Sequence, residues 1–157
     1  MALFVDSSAF LGRWIAGPWR ALIIGTMAAD HDWCASALAL TEATAVADRL
    51  DDPAVGRRLR RLLRDDWDHY WTVPVDQRCL DRAADLARDH PARTVDALHL
   101  AAADRLPRPL IYLTFDPHQI PVALALGFEV VSTLAGTAVR DPSTATGRHP
   151  GSMAWDG

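Results

Sequence analysis

The sequence contains no lysine: its 16 basic residues are all arginine, and 18 of its 20 acidic residues are aspartate. The lack of lysine excludes a Schiff-base lysine and the phosphate-binding lysine of a P-loop. Two cysteines, Cys34 and Cys79, are too few for a disulfide framework or a cysteine-rich zinc site, and we expect both to be reduced and buried. The net charge of −4 excludes a strongly polycationic nucleic-acid-binding protein, although a local basic face remains open.

Long hydrophobic runs are also missing. No apolar stretch approaches the roughly 20 residues that cross a bilayer. Residues 1–5 carry no basic region and are followed at once by Asp6, which is unlike a secretory signal. We therefore expect a cytoplasmic protein with no membrane partner. A chain of 157 residues that is 50% hydrophobic and 23% charged is typical of one globular domain.

Short apolar segments alternate with helical patterns along the chain. The predicted strands are 2–5, 33–35, 70–75, 110–115 and 128–131, and the predicted helices lie near 8–14, 19–29, 38–50, 54–68, 77–90, 95–106 and 117–126. Ser7 or Ser8 is the expected cap of the first helix, Thr94 of the sixth, and Gly127 ends the last. This alternation indicates an α/β domain with a parallel sheet covered by helices on both faces. We place the domain at 1–135 and expect a flexible tail at 136–157, with Trp155 as its one unusual residue.

Four acidic residues stand apart from the aspartates of turns and solvated helix faces. Asp6 follows the first strand and Asp116 follows strand 110–115, so both belong to the carboxyl edge of the sheet, where ligands bind in such folds. Asp96 lies in the first turn of an apolar helix. Glu42 is a lone acid in a helix that is otherwise almost uncharged. A single charge on an apolar helix is costly unless it is paired or binds a metal.

If these four carboxylates converge, their mutual repulsion requires a cation or raises some of their pKa values. Several oxygen ligands without cysteine or a histidine pair suit a hard ion, Mg²⁺ or Mn²⁺. Such a site, open to solvent, is suited to phosphodiester hydrolysis, because the ions activate water and stabilise charge on phosphate oxygens. The spacing alone leaves the convergence open.

The same residues carry a resemblance to a known family. Residues 4–9, Phe-Val-Asp-Ser-Ser-Ala, resemble the opening strand and first acid of PIN-domain nucleases, specifically the VapC toxins of VapBC toxin–antitoxin pairs. Residues 41–43, Thr-Glu-Ala, resemble the second acid. Residues 93–103, RTVDALHLAAA, resemble the stretch with the third acid, and 113–116, LTFD, with 123–128, ALALGF, resemble the fourth acid, its helix and the last strand. Order and spacing agree from residue 1 to about residue 131.

The resemblance implies both a fold and an activity. The fold is PIN-like, with a five-stranded parallel sheet in the order 3-2-1-4-5. The activity is that of a Mg²⁺-dependent endoribonuclease toxin of a type II toxin–antitoxin pair, acting on structured RNA such as tRNA or rRNA. The resemblance also implies a homodimer and a VapB-type antitoxin whose C-terminal segment wraps the toxin and blocks the acidic site.

Roles for the acids follow from the same resemblance. Asp6 and Asp96 resemble direct metal ligands, and Asp116 and Glu42 resemble residues that complete the catalytic site, often through water. His99 lies one helical turn after Asp96, but packing as a structural histidine is the stronger interpretation for such a residue.

Hydroxyl and guanidinium groups complete the predicted site. Ser8 and Thr114 resemble hydroxyls that orient the acids. Arg93 is a candidate RNA contact, either steering a substrate phosphate or pairing with an acid, and the sequence leaves both open. Arg57 and Arg61, on the amphipathic helix 54–68, are further candidates for contact with RNA phosphates, with a solvated helix face as the alternative.

Two other functions fit parts of the pattern. A haloacid dehalogenase needs a second aspartate two residues after Asp6, where this chain has Ser8, and both that class and response receivers use a lysine that is absent here. A catalytically silent PIN-like scaffold that binds RNA or protein would not need all four acids. RNA cleavage that is sensitive to EDTA separates the nuclease from the scaffold.

Overall fold

The computed structural model describes residues 2–132, so the predicted tail at 136–157 lies outside the described residues. The strands are β1 Ala2–Val5, β2 Trp33–Ser36, β3 Trp71–Val73, β4 Leu110–Leu113 and β5 Glu129–Val131. The helices are α1 Ser7–Gly12, α2 Arg20–Ala29, α3 Leu38–Asp48, α4 Pro53–Trp67, α5 Gln77–Asp89, α6 Thr94–Asp104 and α7 Ile120–Ala125. The predicted elements and their order are confirmed, with shifts of a few residues at their ends.

All five strands pair in parallel, in the order β3-β2-β1-β4-β5. This confirms the predicted sheet. The central strand β1 is buried from both sides: Leu3 and Val5 pack with α1 to α4, while Phe4 packs with α5 to α7. Successive side chains of a strand point to opposite faces, so a short, wholly apolar strand serves two cores at once.

Two predicted helix caps are wrong. Asp6, rather than Ser7 or Ser8, caps α1, because its Oδ1 accepts a hydrogen bond from the backbone N–H of Ala9 at 2.9 Å. The residue at the N-cap of α6 is Arg93 rather than Thr94, and its side chain makes no capping bond. In both cases the helix begins beside a candidate site residue.

The segment after β4 differs from its prediction. β4 ends at Leu113, not at residue 115, and α7 begins at Ile120, so Asp116 lies in the connecting loop. The N–H groups of Phe115 and Asp116 donate to the hydroxyls of Ser8 and Thr114, and therefore leave the sheet ladder. The carboxyl-edge position predicted for Asp116 is retained.

Gly127 ends α7 as predicted. Its φ of 76° is in the left-handed region, which favours glycine. The N–H groups of Gly127 and Phe128 donate to the carbonyls of Leu124 and Ala123, at 2.9 and 3.1 Å. This pair of bonds is the Schellman motif, and it turns the chain directly into β5.

The two cysteines are buried and free, as predicted. Within residues 2–132, none of the helices has both the length and the apolar character needed to cross a membrane.

Gly56 permits the close packing of α4 on α3. A Cβ atom at this position would lie 2.5 Å from the carbonyl oxygen of Ala47, closer than atoms can approach. We expect Gly56→Ala to lower the free energy of unfolding by about 1–3 kcal/mol, the usual cost of overpacking, as measured by urea denaturation. The control is Gly25→Ala on α2, where nothing lies within 4 Å and a gain of about 0.5–1 kcal/mol is expected. Equal effects at both sites would contradict the close approach.

Candidate active site

Asp6 is fully buried at the turn from β1 to α1. Its Oδ1 accepts hydrogen bonds from the Ser8 hydroxyl at 2.7 Å and the Ala9 N–H at 2.9 Å, and its Oδ2 accepts one from the Thr114 hydroxyl at 2.7 Å. Burial raises the pKa of Asp6, and these donors offset that effect only in part. The carboxylate is thus held in one orientation but remains costly to ionise.

The two hydroxyls also join the ends of β1 and β4. The Ser8 oxygen accepts the N–H of Phe115 at 2.9 Å, and the Thr114 oxygen accepts the N–H of Asp116 at 3.1 Å. Each hydroxyl therefore donates to Asp6 while it accepts from the loop that carries Asp116. The positions of the two aspartates are coupled through these bonds.

A relay of buried hydrogen bonds runs from Tyr112 through Gln119 to Asp96. The Tyr112 hydroxyl donates to Gln119 Oε1 at 2.6 Å, and Gln119 Nε2 donates to Asp96 Oδ1 at 3.2 Å. All three side chains are buried. This relay was not predicted from the sequence. The available signal was the position of Gln119: it is a polar residue three positions after Asp116, in the segment that was predicted to begin the last helix.

Glu42 projects from α3 and contacts His99 of α6. His99 Nε2 lies 2.5 Å from Glu42 Oε2, and His99 is fully buried. Burial acts to raise the pKa of Glu42, but the hydrogen bond and charge of His99, with Ser7 and Arg93, outweigh it and lower this pKa. His99 is buried as predicted, yet its pairing with Glu42 was missed, although its place one turn after Asp96 was a usable signal.

Arg93 joins Asp96 to Asp116. Its Nε lies 2.6 Å from Asp96 Oδ2, and its Nη2 lies 3.2 Å from Asp96 Oδ1 and 2.6 Å from Asp116 Oδ2. Of the two roles left open by the sequence, pairing with an acid is the one that the structure shows. Burial acts to raise the pKa of Asp116, but His118 and Arg93 outweigh it, so this pKa is lowered.

Three of the four predicted acids open into one cleft of about 310 Å³. The residues that line it come from α1, α3, α6 and the loop after β4: Ser7, Glu42, Arg93, Thr94, Val95, Asp96, Asp116 and Gln119. Asp6 is not among them. Arg57 and Arg61 are exposed on α4 and do not line the cleft.

The pKa of the Tyr112 hydroxyl is raised above its ordinary value. Burial is the largest cause, and the negative charges of four acids raise the pKa further: Asp6, Asp96, Asp116 and Glu42. Hydrogen bonds connect three of these acids. Thr114 links Asp6 to the backbone of Asp116, and Arg93 links Asp116 to Asp96.

The chemistry of these donors fits a hard divalent ion. Oxygen donors from carboxylates are the ligands preferred by Mg²⁺ and Mn²⁺. As the side chains stand, no three Asp, Glu, His or Cys residues within 2–132 are close enough together to hold an ion. The positive charge between Asp96 and Asp116 is instead the guanidinium of Arg93.

A five-stranded parallel sheet with acids gathered at its carboxyl edge defines a PIN-like α/β protein. A model of the PIN domain matches residues 3–133, and the chain belongs to this family. Ribonuclease VapC46 of Mycobacterium tuberculosis is 32% identical over 133 residues, covering 83% of this chain and 97% of the relative. The similarity places the chain among the VapC-type members, as the sequence motifs indicated.

Solved structures show the same fold at lower identity. FitAcB from Neisseria gonorrhoeae superimposes with a TM-score of 0.66 and 15% identity, covering 82% of this chain and 95% of that chain. VapBC-5 from Mycobacterium tuberculosis, a member of the VapBC family of toxin–antitoxin systems, gives 0.61 and 21% identity, covering 83% and 98%.

Proposed function

We propose that this VapC-type PIN protein is a Mg²⁺-dependent endoribonuclease toxin of a type II toxin–antitoxin pair, with structured RNA of the tRNA or rRNA class as its substrate. The observation that carries the proposal is the cleft that Glu42, Asp96 and Asp116 line together, with Asp6 joined to its edge through Thr114. The family and the relative named as a ribonuclease support the same activity. Mn²⁺ has the same ligand preference and is the alternative ion.

In this proposal the four acids would hold the metal: Asp6 and Asp96 would be its direct ligands, and Asp116 and Glu42 would complete the catalytic site. A divalent ion, when bound, lowers the pKa of water and neutralises charge on phosphate oxygens.

The surrounding side chains fix the acids in place. Ser8 and Thr114 orient Asp6 by direct hydrogen bonds, and Gln119 holds Asp96. Such bonded neighbours keep a ligand set ordered and limit its motion when substrate binds.

Arginines supply the proposed contacts with RNA. Arg93 stands in the cleft itself, with its side chain 60% exposed, and a substrate phosphate would compete there with Asp96 and Asp116 for the guanidinium. Arg57 and Arg61 face solvent on α4 and can meet phosphates farther along a structured RNA.

A VapB-type antitoxin and a second copy of the chain are the proposed protein partners. A cavity of about 560 Å³ between α4 and the segment that joins α1 to α2 supports this, because apolar side chains line much of it, among them Trp14, Ile15, Val55 and Leu62. Exposed apolar patches of this kind are typical of protein-binding surfaces.

The test is cleavage of total bacterial RNA by the purified full-length protein. With Mg²⁺ we expect cuts at discrete positions in tRNA or rRNA, leaving a 5′-phosphate and a 3′-hydroxyl, as read by mapping the RNA ends. EDTA should stop the reaction, and added Mg²⁺ or Mn²⁺ should restore it. RNA that stays intact with both ions would instead favour a catalytically silent PIN-like scaffold that binds RNA or protein.

A further inference from the structure

The stability of α6 does not explain why residue 93 is an arginine. It is the N-cap residue of this helix, where Ser, Thr, Asp and Asn are preferred because their side chains accept the free N–H groups. Its side chain makes no capping bond, and a positive charge at a helix N-terminus is opposed by the helix dipole. The reason for an arginine here therefore lies in its other contacts.

Those contacts give Arg93 the place of a cation in the cleft. Its guanidinium makes three hydrogen bonds, of 2.6, 3.2 and 2.6 Å, to the carboxylates of Asp96 and Asp116. The rigid fork of an arginine suits this bridging geometry, and the bonds are charge-assisted. Both carboxylates also line the cleft together with Glu42.

The guanidinium and the two carboxylates differ in their exposure to water. The Arg93 side chain is 60% exposed, whereas Asp96 is 3% and Asp116 22% exposed. The guanidinium can therefore return to water, whereas its departure leaves the buried carboxylate of Asp96 without a compensating charge. The carboxylates are fixed by the fold and need another positive charge once Arg93 leaves.

We propose that Arg93 is a built-in competitor of the divalent ion: it holds the position between Asp96 and Asp116 in the metal-free protein and leaves when metal binds. This rests on the proposed function, because it takes the acidic cleft to be the metal site. The released guanidinium remains at the cleft, free for a substrate phosphate.

The test is Mn²⁺ binding to the full-length protein, by calorimetry and by the electron paramagnetic resonance signal of free Mn²⁺. We expect Arg93→Gln to lower the Kd by about tenfold, equivalent to about 1.4 kcal/mol, because the competing charge is gone. Arg93→Lys keeps a positive charge, and its Kd should stay nearer to that of the parent than to that of Arg93→Gln. The matched control is Arg88→Gln, which removes the same charge from an exposed pair with Asp85 and Asp89 on α5 and should leave the Kd unchanged.

The outcomes separate this inference from the proposed function. If the parent binds Mn²⁺ and cleaves RNA but Arg93→Gln binds it equally or more weakly, the inference is overturned and the nuclease stands. If no variant binds Mn²⁺ and no RNA is cut, both fail. A gain that persists when Asp96→Asn is added to Arg93→Gln would place the ion elsewhere, and this also overturns the inference. Circular dichroism melting confirms that each variant is folded.

Discussion

Replacing Asp96 with asparagine is expected to reduce RNA cleavage by at least about 10³-fold, which corresponds to the loss of several kcal/mol of transition-state stabilisation. The asparagine keeps the shape of the side chain and an oxygen that can accept the Gln119 amide hydrogen. It removes the negative charge, which is what a hard cation requires of this ligand. The measurement is the initial rate of cleavage at saturating Mg²⁺, alongside a thermal melt showing that the protein is folded.

The control for this prediction lies on the same helix. Asp104 is at the far end of α6, where it pairs with Arg82 and Arg108 and has no contact with the cleft. Asp104→Asn should therefore cleave RNA at the parent's rate. If Asp96→Asn also cleaves at that rate, the assignment of the acids is wrong.

The fold was predictable because its signals are local. Strands β1 and β4 are short and wholly apolar, which is typical of strands buried on both faces. Gly127 lies where the chain adopts a left-handed conformation to end α7. The errors fall at element ends, where single polar side chains decide. β4 ends early because the Ser8 and Thr114 hydroxyls take the N–H groups that follow it.

The candidate site was predictable in its acids but not in their partners. Asp6 and Asp116 stood out because the carboxyl ends of parallel strands share an edge. The partners of Glu42 and Asp96 are instead His99 and Gln119, brought together across 57 and 23 positions of sequence. Periodicity shows which face of a helix is buried, but it does not show which polar group another element places against it.

Replacing Asp6 with asparagine is expected to stabilise the metal-free protein while abolishing cleavage. The Asp6 carboxylate is fully buried, and its hydrogen bonds offset only part of the cost of burying its charge, so a neutral side chain of the same shape is expected to stabilise the fold, by about 2 kcal/mol at neutral pH. Asparagine is a good N-cap, so its oxygen can still accept the Ala9 N–H, and its amide can donate to the Thr114 oxygen. Thermal unfolding in EDTA should show a Tm raised by roughly 4–8 °C.

Asp52→Asn is the control for burial. Asp52 is also an N-cap aspartate, accepting the Ala54 N–H at 2.7 Å at the start of α4, but it is exposed. The same substitution there should change the free energy of unfolding by less than about 0.5 kcal/mol. A stabilisation as large as that of Asp6→Asn would mean that burial of the charge is not the cause.

The pH dependence of this gain has a definite sign. Burial raises the pKa of Asp6 above its ordinary value of 3.8, so the folded protein binds this proton at a higher pH than the unfolded chain does. The cost of the charge is complete above the folded-state pKa and disappears as the pH falls through that value towards 3.8. Glu42 and Asp116 have lowered pKa values, so the stability that they contribute to the fold is lost on acidification. This loss is common to the parent and the variant. The Tm difference between Asp6→Asn and the parent should therefore shrink as the pH is lowered, and a difference that grew would show that the ionised Asp6 stabilises the fold.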